Sequence, residues 1–146
     1  MRMKISEIMA TSPVVVGPET PVEEIARLMR DRSISSVVLV RESRPVGIVT
    51  ERDLVHRVMA PGVDATSLRA WDVCSRPVVA ISQRGSVDDA CDTMREYGIR
   101  RLVVVDDSDG VVRVLTTDDI GFNLRSMSEE LAVKYLIMMR RSAGRS

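Results

Sequence analysis

Residues 47–54 read GIVTERDL, and residues 113–120 read RVLTTDDI. Each is an apolar run that ends in Thr, followed by two polar residues, an Asp and an apolar residue. That is the pattern of a strand entering the first turn of a helix, and it is written twice.

The duplication extends outward from these two corners. Displaced by roughly 65 residues, Pro13-Val14-Val15-Val16 falls on Pro77-Val78-Val79-Ala80, PVEEIARLMRDRSI (21–34) on SVDDACDTMREYGI (86–99), and SSVVLV (35–40) on RRLVVV (100–105). Val22, Ile25, Ala26 and Met29 recur at i, i+3, i+4 and i+7, as do Val87, Ala90, Cys91 and Met94, which predicts one amphipathic helix per copy. Thr20-Pro21 with Glu23 supplies a cap, a first-position proline and an acidic first turn; Ser86 with Asp88 and Asp89 does the same for the second helix.

After each helix comes a short β-branched run, Val37–Val40 or Leu102–Val105, of the kind that is buried on both faces of a sheet. A polar turn follows (41–45 or 106–110), then a second strand, Val46–Thr50 or Val111–Thr116. The expected fold is therefore α/β of the α+β kind: two tandem β-α-β-β-α repeats, 1–66 and 67–126, packed with pseudo-twofold symmetry, followed by a C-terminal helix and tail, 127–146. At roughly 60 residues neither copy buries enough surface to be comfortable alone, whereas 146 residues make one good core.

Composition narrows the function. Lys+Arg and Asp+Glu balance at 21 each, so no overall field draws the chain to nucleic acid or an anionic membrane. The N-terminal residues lack the apolar centre of a signal peptide, and no stretch approaches the ~20 apolar residues of a membrane span, so a cytoplasmic location is expected. Cys74 and Cys91 read as small buried hydrophobes. His56 has no evident carboxylate partner, which argues against catalysis, and VDDSDG (105–110) lacks the first and twelfth ligands of a calcium loop. Arginine pairs at 100–101 and 140–141 with 3% aromatics make a thin case for nucleic acid.

The chemistry lies in the corners. A Thr at a strand end, with the first N–H groups of a helix beside it, makes an anion site, and an Asp three residues on can accept two hydrogen bonds from a vicinal diol. Thr50 with Asp53, or Thr116 with Asp119, would thus suit a ribose-phosphate. The same residues would equally serve as N-cap and favourable first-turn charge.

The tandem order, MATSPVVV (9–16), IRRLVVVD (99–106) and the GIVTERDL corner resemble the paired cystathionine-β-synthase (CBS) domain, or Bateman module, over about residues 4–126. The resemblance implies a regulatory module that takes AMP, ADP or ATP, or alternatively S-adenosylmethionine or NAD, in clefts between the repeats. It implies ribose contacts for Asp53 and Asp119, and ribose or phosphate contacts for Thr50 and Thr116. It also implies phosphate contacts from the pair before the middle strand, which is Arg100-Arg101 in copy two and Ser35-Ser36 in copy one; two guanidiniums suit a phosphate better than two hydroxyls. Val14, Val15, Val78 and Val79 would flank the adenine, and Arg52 could reach phosphates. Gly47 would let a ligand approach the backbone, and its loss from copy two weighs against the second corner. No cofactor is required in this reading, and AMP is the first candidate as regulatory ligand.

Modules of this kind commonly pair as homodimers, and without an output domain ligand binding would act on a partner protein or on self-assembly. The alternative is a ligand-free dimer that serves as a protein-interaction platform. The final helix, 128 to about 141, spreads apolar residues around most of its circumference and needs more than one surface to cover it.

Overall fold

Why the chain forms two similar bodies is visible in its caps and turns. The structure, a computed structural model, describes residues 2–8 and 12–142, with only the backbone of 141 and 142. Met9, Ala10 and Thr11 of the opening motif and the tail beyond Ser142 lie outside the described residues.

In the first repeat, β1 (Val15–Val16) precedes α1 (Val22–Arg32), β2 (Ser36–Arg41), β3 (Arg44–Thr50) and α2 (Glu51–Leu54), which runs on into a wider π-helical turn, Val55–Met59. A short α3 (Ala70–Val73) leads to the second repeat: β4 (Ala80–Ser82), α4 (Val87–Tyr97), β5 (Arg101–Val105), β6 (Val111–Thr116) and α5 (Thr117–Gly121). The C-terminal helix α6 covers Glu129–Ser142.

Each repeat builds one three-stranded sheet, β1-β2-β3 or β4-β5-β6, with the duplicated middle strand at its centre. Val15 pairs with Val38 in parallel, and β2 runs antiparallel to β3, from Ser36 opposite Thr50 to Arg41 opposite Arg44. Ala80 pairs with Val103 as Val15 does with Val38. The middle strands are buried on both faces, as their β-branched runs predict: Val37, Val38, Leu39, Leu102 and Val104 are all sealed from solvent.

The helices follow their stripes with two corrections. Val87, Ala90, Cys91 and Met94 are all buried, but in α1 the buried positions are Val22, Ile25 and Met29 while Ala26 faces solvent. Pro21 is the residue before the first turn of α1 rather than in it, and no side chain caps that helix; Ser86 does cap α4, accepting from the Asp89 N–H at 3.0 Å. Both helices end on a left-handed residue, Ser33 and Gly98.

Packing does not follow the sequence repeat. The chain divides into one compact unit of residues 13–79 with 109–111, and another of 1–12, 80–108 and 112–146. The N-terminal segment joins the second repeat because its backbone pairs there: Ile5 N–H bonds Gly85 O at 3.1 Å and Val87 N–H bonds Met3 O at 2.9 Å, with Ile5 and Ile8 buried. In that unit α6 lies on α4 and α5. The core of the other unit is formed by Val22, Ile25, Met29, Val37, Leu39, Val49, Val58, Ala70, Val73 and Cys74.

Candidate ligand-binding corners

At the first corner, extended backbone at Thr50 turns into α2. The Thr50 hydroxyl accepts the Asp53 N–H at 3.2 Å, and the Asp53 carboxylate accepts the Thr50 N–H at 2.9 Å, a reciprocal capping box. The N–H of Glu51 bonds Ser35 O at 3.0 Å, which brings the end of the Ser35-Ser36 pair against the corner. The second corner repeats this geometry: Thr116 accepts from Asp119 N–H at 3.1 Å, Asp119 from Thr116 N–H at 2.9 Å, and Thr117 N–H bonds Arg100 O at 3.0 Å.

Two expectations change here. The Thr hydroxyls and two of the first N–H groups of each helix are already engaged within the chain, and α2 and α5 are only about one turn long. The helix ends are caps, so an anion at either corner must be held by side chains. Gly47 also has a different purpose: a Cβ there would stand 2.9 Å from Cys74 Sγ and 3.3 Å from its Cβ. The glycine admits Cys74 to the core, and its absence from copy two says nothing about a ligand.

The two acids differ in their surroundings. Asp53 is 6% exposed, and its other oxygen accepts the Ser75 hydroxyl at 3.0 Å while Arg57 Nε lies 3.9 Å away. Ser75 is held in place by a two-way backbone bridge to Ile48, at 3.1 and 2.8 Å, and Arg57 is fixed by bonds to Val73 O and Cys74 O at 3.0 and 2.6 Å. Asp119 is only half-buried and has no ion pair among the described residues. In place of Arg57 stands Asn123, whose amide donates to Asp119 O at 2.8 Å.

Sequence reasoning missed Ser75 and Arg57. Arg57 had a signal, four residues after Asp53 on a helix. Ser75 had one only through the repeat, since Thr11 stands at its place in copy one.

The remaining expected residues are distributed as follows. Ser35 and Ser36 are half-buried, Ser36 paired with Thr50, while the half-buried Val14 accepts from Val38 N–H at 3.0 Å farther along β2. Val15 is half-exposed and Arg52 faces solvent on α2. Val78 and Val79 are half-buried in extended chain just before β4. Arg100 is exposed and Arg101, half-buried, opens β5. His56 is exposed, and among the described residues no cluster of His, Cys, Asp or Glu is placed to hold a metal ion.

A family model for the CBS domain matches the chain twice, over residues 5–60 and 70–122. The chain belongs to the CBS-domain family. Its two CBS repeats carry the two corners, one each. Among curated relatives, protein MK0525 of Methanopyrus kandleri is 36% identical over 119 residues, covering 81% of this chain and 61% of that protein. The chain thus spans less than two thirds of that relative's length. Among solved structures, the CBS domain protein PAE2072 from Pyrobaculum aerophilum, complexed with AMP, superposes with a TM-score of 0.77 at 25% identity, covering 92% of this chain and 99% of that one. The CBS domain pair of protein MJ0100, in complex with 5-methylthioadenosine and S-adenosyl-L-methionine, superposes at 0.72 with 24% identity over 82% of this chain and 98% of that one, a likeness of fold.

Proposed function

We propose that this CBS pair is a regulatory module that binds an adenine nucleotide, AMP first, at the corner of its second repeat. The observation that carries the reading is the backbone of the arginine pair: the Arg100 carbonyl accepts the Thr117 N–H at 3.0 Å, which ties the pair to the first turn of α5, the helix that carries the half-buried Asp119. A planar fork of donors suits a phosphate, and the carboxylate suits ribose hydroxyls. The AMP complex of the Pyrobaculum relative supports the same ligand class.

The first corner is the weaker site. Asp53 is enclosed, with one oxygen accepting from the Thr50 N–H and the other from the Ser75 hydroxyl, so less of it is open to a ribose than of Asp119. Arg52 and the two serines add little phosphate affinity in compensation. That corner favours a structural role, which is the part of the ligand-free reading with an observation behind it. The signal would pass to a partner protein or to self-assembly.

Calorimetric titration with AMP, ATP, NAD, S-adenosylmethionine and adenosine tests the proposal. Asp119→Ala should weaken AMP by about 1–3 kcal/mol, through loss of charge-assisted hydrogen bonds. Arg101→Ala should cost AMP more than adenosine. Equal losses for both ligands would remove the phosphate assignment, and silence from every ligand would leave the interaction platform.

A further inference from the structure

The turn between β2 and β3 is basic where the corresponding turn of the second repeat is acidic. Glu42 and Ser43 form a two-residue turn with left-handed backbone at both positions, which fixes Arg41 opposite Arg44 across the ladder. Directly opposed residues share one face of a sheet, and like charges so placed repel. The second repeat fills its turn with Asp106, Asp107 and Asp109, so the fold itself does not call for arginine here. The Arg41 guanidinium lies over the Trp71 indole, 5.1 Å from the ring centre, and Arg76 lies over the same ring at 3.8 Å. An Arg76 N–H donates to Trp71 O at 3.1 Å, which holds that side chain in place. Arg41, Arg44 and Arg76 are all exposed, as are the acids Glu19, Glu42 and Asp72 of the same unit, yet none of the three arginines is in an ion pair among the described residues.

We propose that this face docks an acidic peptide segment of a different protein, through Arg41, Arg44, Arg76 and Trp71. The argument is charge complementarity. A guanidinium stacked on an indole is weakly hydrated and keeps the N–H groups of its edge for a carboxylate, and arginine with tryptophan is the composition of interface hot spots. Carboxylates on this face would also relieve the repulsion between Arg41 and Arg44. Three arginines neutralise about three phosphates, too few for nucleic acid, whose affinity is built on many such contacts. The indole already carries two guanidiniums where a base would stack. A small free anion calls for a concave site, whereas these side chains are exposed. The inference does not depend on the nucleotide reading, because Arg100, Arg101 and Asp119 belong to the other compact unit.

Titration of fluorescein-labelled hexaglutamate with the full chain, followed by anisotropy, provides the test. The emission of Trp71, the only tryptophan in the chain, reports whether the peptide lands on this face. Wild type should bind saturably, with a change in Trp71 emission and with weaker binding at high salt. Arg41→Gln, Arg44→Gln and Arg76→Gln should each weaken binding about two- to fivefold, the range of one exposed ion pair. Arg101→Ala should leave it unchanged. Arg41→Glu with Arg44→Glu should lose hexaglutamate and gain hexalysine, while a cooperative thermal transition shows that the fold is kept. No binding by wild type, equal binding by the Arg41→Glu and Arg44→Glu pair, or loss on Arg101→Ala would each overturn the proposal. So would equal affinity for free glutamate, which assigns the face to a small anion, or tighter binding of dodecathymidylate, which assigns it to nucleic acid. A Trp71 emission that changes with protein concentration alone would assign it to another copy of the chain, and would overturn the proposal too.

Discussion

Gly47 and Cys74 show how far one atom decides the first repeat. A methyl group added at Gly47 would lie closer to Cys74 Sγ than real Cβ contacts allow, and Cys74 is buried in the core of its unit. Gly47→Ala should therefore destabilise the protein by about 1–3 kcal/mol, the usual cost of overpacking. Combining it with Cys74→Ala should recover part of that loss, since the smaller side chain removes the clashing sulfur. Urea unfolding of the two single variants and the double variant measures the coupling, and strictly additive losses would contradict the contact. The corner acids make the same point. Thr-x-x-Asp is legible in the sequence at both places, but its partner Ser75 is 22 residues from Asp53 and reaches it through a backbone bridge that no local pattern announces.

Elements are where the sequence was read with most success, since caps and stripes are local. Ser86 closes a reciprocal box with Asp89, and the Ser86 hydroxyl, followed by its backbone N–H, holds the Asp89 carboxyl below the usual carboxylate range. A depressed folded value means that the stabilisation is present above the ordinary carboxylate range and is lost as pH falls through the folded value. Ser86→Ala should cost about 1 kcal/mol at neutral pH and make the acid limb of the stability curve shallower. An unchanged acid limb in thermal melts across pH would count against the cap. Helix α1 shows the limit of the same reasoning: a Thr-Pro start suggested a capped first turn, yet the proline itself takes the extended position before the helix and no side chain caps it.

At the scale of the whole molecule, the seat of α6 gathers three titratable groups with one tendency. Burial pushes the Cys91 thiol on α4 up to about 11. Burial, with Asp118 next, raises Tyr135, and the hydrogen bonds that Lys134 donates to Asp92 and then Asp88 raise Lys134. All three folded values lie above the ordinary ones, so the protonated forms favour the docked helix. The Cys91 contribution is complete below the ordinary thiol value near 9 and is lost as pH rises toward 11, and those of Tyr135 and Lys134 are lost only above their own ordinary ranges. Stability measured by chemical unfolding should thus stay level up to about pH 9 and fall beyond it, with a smaller fall in Cys91→Ala. A level profile through this range would show that the three groups do not share the seat. Shortening the chain before Glu129 should leave Met94 and Ile120 less protected, which hydrogen exchange on α4 and α5 reads directly.

The sequence by itself determined the duplicated order of elements, the doubly buried middle strands, the α4 cap and the two Thr-x-x-Asp corners, because periodicity and capping act within a few residues. Only the tertiary structure decided what those corners are free to do. It paired Asp53 with Ser75, gave Gly47 to Cys74, joined the N-terminal segment to the second repeat and left one face of α6 in solvent. Each of these depends on which distant residues the fold brings within a few ångströms, and two identical local motifs carry no record of that.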